Sequence, residues 1–197
     1  MKLATDLILA SESPRRRDLL SQLGLKIRVV PSGICEKIDA NVAPHNIVQD
    51  LALKKALAVS RRESTALTLG ADTIVVHDGN VLGKPCDADH ARMMLRRLSG
   101  TTHTVYTGIA LIHPKTERQS VACEAASVTF GQLSERAIEA YVATGSPLDK
   151  AGGYGIQNDW GSVFVSRIDG DYYTVVGLPL HRLYVILRDD FPDLLIV

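Results

Sequence analysis

The stretch Leu7-Ile8-Leu9-Ala10-Ser11-Glu12-Ser13-Pro14-Arg15-Arg16 decides the fold class. Its apolar start reads as a buried strand, and Ser13-Pro14 opens a helix, with serine at the N-cap and proline in the first turn. That helix is predicted over 14–23, with Leu19, Leu20 and Leu23 inward and Gly24 just past its end. Two arginines follow the turn at once. The turn therefore combines helix N–H groups, the positive end of the macrodipole, the hydroxyls of Ser11 and Ser13, and the guanidinium groups of Arg15 and Arg16. Such a turn suits a polyphosphate or another compact anion. Lys+Arg and Asp+Glu both number 22, so this positive potential is local.

Working outward, strand-like runs alternate with helical patterns, which is the α/β signature. A second strand over 27–31 leads through a polar loop to a helix over 44–62. Residues 67–76 are rich in strand formers, and Asp78-Gly79 marks a hairpin before Val81-Leu82. A helix over 88–98 starts at Asp87 and buries Ala91, Met94, Leu95 and Leu98. Two long strands, 103–112 and 119–130, flank a turn at Pro114-Lys115-Thr116. Ser134 caps a helix reaching Thr144. Two strands are expected around Asp169-Gly170, then a strand-to-helix junction at Val175–Leu180 and a last helix over about 179–190.

With 197 residues, 46% hydrophobic and 22% charged, the chain suits one globular domain spanning 1–197, with room for two lobes around a cleft. Balanced charge argues against general binding to nucleic acid or anionic membranes. No apolar run approaches the roughly 20 residues of a membrane span. The segment MKLATDLILASESPRR is too short in its apolar part for a secretory signal, so a cytoplasmic protein is expected. Cys35, Cys86 and Cys123 lack ligand or pairing spacing and read as reduced thiols. The six histidines form no zinc motif and read as surface or partly buried. Arg61-Arg62 and Arg96-Arg97 fall on solvated helix faces.

Several polar residues sit where their type is unexpected. Asp72 lies in Gly70-Ala71-Asp72-Thr73 inside a strand pattern; it either caps a turn or points into a site that needs a base or metal ligand. Lys55 lies near the centre of a helical face formed by Ile47, Val48, Leu51, Ala52, Ala58 and Val59. A lysine there must snorkel, pair, or reach an anion. Glu36 is a loop acid, and Lys84 in Gly83-Lys84-Pro85 stands at a hairpin exit outside any P-loop spacing. In Asp149–Gln157 the glycines allow close backbone approach to a ligand, and Gln157 offers a paired donor and acceptor suited to a base edge; a flexible connector is the other reading.

Taken together, Ser11-x-Ser13-Pro14-Arg15-Arg16, Leu51-Ala52-x-x-Lys55-Ala56, Gly70-Ala71-Asp72-Thr73, Gly83-Lys84-Pro85, Tyr154-Gly155-Ile156-Gln157 and Val176-Gly177-Leu178-Pro179 stand in the order seen in Maf proteins. The resemblance runs over about residues 6–188. It implies an α/β fold with a mixed, bent sheet flanked by helices and a cleft between two lobes, like that of inosine triphosphate pyrophosphatases. It implies a nucleoside triphosphate pyrophosphatase, in a family first named for an association with septum formation, and a homodimer; hard oxygen ligands would suit Mg²⁺ or Mn²⁺, with much of the coordination coming from the phosphates. One branch acts on dTTP and UTP, and its specificity positions match Arg15, Thr73 and Gln157 here. The 7-methyl-GTP branch carries a bulky aromatic where Arg15 stands and glutamine where Thr73 stands.

On this resemblance Asp72 is the proton acceptor or a metal ligand, and Glu36 is a second metal ligand. Arg15, Arg16, Lys55 and Lys84 grip the phosphates with the Ser11–Ser13 turn, while Thr73 and Gln157 read the pyrimidine. Cys35 departs from the acid that close relatives carry beside Glu36, leaving one carboxylate at that point of the loop. A non-catalytic nucleotide-binding regulator of septum formation and a pyrophosphatase of modified purine nucleotides are the alternatives.

Overall fold

Strand β2 (Leu7–Leu9) is buried along its whole length because it pairs in parallel on both sides. On one side Leu7, Ile8 and Leu9 face Ile27, Arg28 and Val29 of β3 (Ile27–Val29); on the other they face Leu67, Thr68 and Leu69 of β4 (Leu67–His77). A strand covered on both faces and flanked on both edges is apolar without alternation, which is how its sequence reads. The computed structural model describes residues 1–39, 41–157 and 160–196. It is an α/β fold with a mixed sheet flanked by helices.

The chain divides into two compact units. Unit 1 comprises Met1–Asp72, Thr107–Glu124 and Gly177–Val197; unit 2 comprises Thr73–Tyr106 and Ala125–Val176. Unit 1 contains β1 (Lys2–Leu3), β2, α1 (Pro14–Gln22), β3 and α2 (Pro44–Ser60). Helix α1 ends one residue before the expected Leu23, because the Gly24 N–H bonds the Ser21 carbonyl at 2.9 Å and the Leu25 N–H bonds Leu20 at 3.2 Å. Gly24 takes φ +72°, the left-handed conformation that this close requires. Helix α2 stops at Ser60, before the two arginines, and buries Ile47, Val48, Leu51, Ala52, Ala56 and Val59. Ala58, expected on that face, is half-buried, and Ala56 is buried instead.

Unit 2 holds β5 (Asn80–Leu82), α3 (Ala88–Leu98) and α4 (Glu135–Ala143). The hairpin between β4 and β5 has Asp78 at φ 49° and Gly79 at φ 73°, the two positive angles of a tight primed turn. Asp87 accepts from the His90 N–H at 2.7 Å and Ser134 from the Ala137 N–H at 3.2 Å, so both expected caps form. Strands β6 (Thr102–His113) and β7 (Arg118–Phe130) run through both units, and β7 pairs antiparallel with β8 (Val165–Asp169).

The strand expected after Asp169-Gly170 does not form; the chain makes helix α5 (Tyr172–Val176) instead. The Asp171 carboxylate accepts from the Thr174 N–H at 2.7 Å and from its hydroxyl at 2.8 Å, and this cap outweighs the β-branched composition. Val175-Val176 is therefore helical, and α6 (Leu180–Asp190) follows after a short break. Its buried Leu183 and Leu187 belong to unit 1, as does β9 (Leu195–Ile196), which pairs antiparallel with β1.

Candidate active site

Two glycines set the geometry of unit 1. A methyl group at Gly70 of β4 would lie 2.1 Å from the Ala52 carbonyl oxygen of α2, and one at Gly108 of β6 would lie 2.3 Å from the Val48 carbonyl oxygen. Helix α2 thus rests backbone to backbone on the strands, a packing that any side chain would prevent. Lys55 comes down the helix one turn past Leu51, and Asp72 stands two residues along the strand from Gly70. The contact at Gly70 brings them together.

The Lys55 ammonium donates to Asp72 Oδ1 at 2.6 Å and lies 2.6 Å from Glu36 Oε1. Both Lys55 and Asp72 are buried, while the Glu36 side chain is 46% exposed. Lys55 therefore pairs rather than snorkels. Asp72 does not cap a turn, and Glu36 is not merely a solvated loop acid. One ammonium contacts both carboxylates here, and the Arg16 guanidinium lies close enough for its charge to act on Asp72 and Glu36 as well.

Arg16 is the buried member of the arginine pair. Its Nε donates to the Gly177 carbonyl at 2.8 Å and its Nη1 to the Ser11 hydroxyl at 2.9 Å. Ser11 Oγ also accepts from the Ser13 N–H at 3.3 Å. The Ser13 side chain makes no N-cap hydrogen bond, against expectation, because the Ser11 hydroxyl serves the turn instead. Arg15 is half-buried beside it.

Burial pushes the Asp72 carboxyl above its ordinary range, although the charges of Lys55 and Arg16 and the Lys55 hydrogen bond pull it down. The neighbouring Glu36 charge adds to the rise. Burial likewise lowers the Arg16 guanidinium below its ordinary value, opposed by Asp72. A buried carboxylate held near a cation, with its proton affinity raised, is the electrostatic setting of a proton acceptor.

The remaining candidates lie in unit 2. Thr73 is half-buried and Lys84 exposed. The Gly152 N–H donates to the Gly83 carbonyl at 3.0 Å, which ties the Lys84 segment to the glycine-rich loop leading to Gln157. Gly152 and Gly153 take φ of 70° and 73°, left-handed angles that interrupt the turn over 151–153 and that glycine adopts without strain. Gln157 is half-buried, with Oε1 inaccessible and without a hydrogen-bond partner among the described residues.

The sequence matches the Maf family, described as Maf-like protein, over residues 6–190. The chain belongs to the Maf family. It is 52% identical over 195 residues to the dTTP/UTP pyrophosphatase of Salinibacter ruber, covering 99% of this chain and 96% of that protein. It is 50% identical over 177 residues to the dTTP/UTP pyrophosphatase of Bacillus cereus, covering 90% and 91%. Among solved structures, the Ham1 protein of Staphylococcus aureus aligns over 64% of this chain and 71% of its own at TM-score 0.44 and 11% identity, a likeness too loose to decide anything about function.

Two features of this Maf chain escape a reading of the sequence. The first is the Gly177 carbonyl as the anchor of Arg16, hidden in a Val176-Gly177-Leu178-Pro179 run that packing alone explains; its one local sign is a glycine before Leu-Pro, and Gly177 takes φ 116°. The second concerns the histidines. His77, His103 and His113 are buried rather than at the surface, because they sit in long strands whose faces are covered.

Proposed function

We propose that this chain hydrolyses dTTP and UTP to the monophosphate and pyrophosphate. The observation that carries the reading is the buried Lys55–Asp72 pair beside an anchored Arg16, in a family whose half-identical relatives bear that name. A triphosphate tail brings about four negative charges, and the arginines, Lys55 and the Ser11–Ser13 turn supply charge and donors to meet them. In the proposed step a water oxygen bonds to the α-phosphorus as its proton passes to the Asp72 carboxylate. The bond from that phosphorus to the α–β bridging oxygen breaks, and its electron pair leaves on pyrophosphate.

Asp72 Oδ1 and Glu36 Oε1 both lie 2.6 Å from one ammonium nitrogen, so two hard oxygen donors already converge on a cation. That arrangement fits Mg²⁺ or Mn²⁺ held by Asp72 and Glu36. No group of three ligating His, Cys, Asp or Glu side chains gathers among the described residues, so phosphate and water oxygens would complete the shell. When bound, such an ion screens phosphate charge and polarises the bond to be broken. Arg15, Thr73, Lys84 and Gln157 follow the family pattern as substrate residues, with Thr73 and Gln157 reading the pyrimidine, and residues 1–197 act as one Maf-like domain, since the family match spans both units.

Cys35, Cys86 and Cys123 are free thiols, which suits a reducing cytoplasm. No helix among the described residues is long and apolar enough to cross a membrane. A homodimer is proposed on the family resemblance, and sedimentation velocity checks it. The deciding experiment for function is a panel of dTTP, UTP, CTP, purine triphosphates and 7-methyl-GTP with Mg²⁺ or Mn²⁺, scored for pyrophosphate against orthophosphate. Pyrophosphate released fastest from dTTP and UTP is expected; none from either overturns the reading.

A further inference from the structure

The Tyr154-Gly155-Ile156-Gln157 segment is held at successive residues by aromatic side chains that the mechanism leaves unused, all within unit 2. The Tyr154 hydroxyl lies 2.6 Å from His103 Nε2. The Gly155 N–H donates to the Tyr141 hydroxyl at 3.2 Å, and the Tyr172 hydroxyl reaches the Ile156 carbonyl at 3.5 Å. The His103 and Tyr154 rings meet edge to face at 5.2 Å, and each packs on Phe130, at 5.1 and 4.7 Å. Tyr141 in turn packs edge to face on Phe164 at 5.3 Å. His103 and Tyr141 are buried almost completely, so rotation of either ring meets a packed wall.

What this brace holds is Gln157, whose Oε1 is buried without a donor among the described residues. A buried, unsatisfied carboxamide oxygen costs about 1–3 kcal/mol and turns to water if its backbone is free to move. A rigid segment keeps it desolvated and aimed. The geometry points to His103, acting through the Tyr154 hydroxyl and together with Tyr141, as a positioning residue that fixes Gln157 for recognition of the nucleotide base. This rests on the proposed dTTP/UTP activity and extends it to residues that touch no substrate.

The test is steady-state kinetics of His103→Leu, His103→Gln and Tyr154→Phe on dTTP, UTP and dATP, with thermal melts of each. Losing one hydrogen bond's worth of positioning is expected to raise KM for dTTP and UTP about five- to tenfold in His103→Leu, with kcat little changed. The preference for dTTP over dATP falls by a similar factor, and His103→Gln, which keeps a polar group near the Tyr154 hydroxyl, recovers part of it. Tyr154→Phe keeps the ring and deletes only the hydroxyl, so it carries the test if His103→Leu fails to fold. Variants that melt earlier but keep wild-type KM and base preference overturn the inference, as does a uniform loss of kcat with preference intact. A wild-type chain that releases no pyrophosphate from dTTP or UTP overturns the functional reading itself, a result distinct from either.

Discussion

Two of the clusters in which the protein buries polar groups treat them in opposite ways. In unit 1, Lys55, Asp72, Arg16 and Ser11 gather charge, and one ammonium is shared between the Asp72 and Glu36 carboxylates. In unit 2, His103 and Tyr154 are enclosed by Phe130, and burial holds His103 neutral, its pKa lowered to about 4. The aromatic cluster gives each ring fixed neighbours that leave no reason to exchange partners. The charged cluster is different: Lys55 and Arg16 act on the same two carboxylates, so an arriving cation or polyanion meets charges that can re-pair with it. A buried polar group serves structure when its partners are neutral and fixed, and chemistry when they are charged and exchangeable.

The strongest way to break that comparison is Asp72→Asn, which keeps the shape and removes the exchangeable charge. If Asp72 takes the proton, kcat/KM for dTTP falls about 10²-fold or more while the fold persists by circular dichroism. The acid limb of the wild-type rate profile carries the same information. A proton acceptor works only when deprotonated, so activity falls as pH drops through the Asp72 pKa; burial raises that pKa in the metal-free protein, and a cation held by the carboxylate opposes the rise. Lys55 pulls the value down, so Lys55→Met moves the limb still higher. A limb that stays put in Lys55→Met separates the pair electrostatically and breaks the contrast.

The neutral cluster shows its titration in stability rather than in rate. Folded His103 remains unprotonated down to about pH 4, whereas its ordinary value is 6.5. Between those values the unfolded chain binds more protons, so stability that is complete above pH 6.5 is lost as pH falls, by about 3 kcal/mol in full. Denaturant midpoints measured from pH 7 to pH 4.5 show this slope, and His103→Gln flattens it. An unchanged slope in the variant places the acid sensitivity elsewhere.

A smaller effect sharpens the comparison from the backbone side. Gly70→Ala sets a methyl 2.1 Å from the Ala52 carbonyl oxygen, and α2 must lift to admit it. The expected cost is about 1–3 kcal/mol in stability. Because Lys55 rides on the same helix, kcat/KM falls with it, and a melt without a kinetic change would uncouple the helix contact from the charged pair.

The sequence made most of this legible where one local rule decides the outcome. The caps at Asp87 and Ser134, the Asp78-Gly79 hairpin and the close at Gly24 each follow from a few neighbouring residues. Asp72 and Lys55 stood out because a charge on an apolar pattern demands a partner, although only the fold shows that they are partners of each other, 17 positions apart. The misses are contests between two local rules or contacts at long range. At 172–176 the Asp171 cap overrode strand composition. Arg16 and Gly177 lie 161 positions apart, and no spacing in a chain announces such a bond.

Surface ion pairs offer the last and smallest contrast. Arg96 pairs with Glu135 at 2.8 Å, as close as contacts in the buried clusters, yet both side chains are about half exposed, at 49% and 65%. Water solvates such charges nearly as well as the partner does, and salt screens what remains. Arg96→Ala is therefore expected to leave both the melting temperature and kcat/KM for dTTP at wild-type values in ordinary salt. Removal of Lys55 from Asp72 breaks a pair of similar length in a setting where no solvent replaces it. Were Arg96→Ala to match Lys55→Met in its effects, charge pairing itself would be the common cause, and burial would lose its place as the property that sets the unit 1 cluster apart.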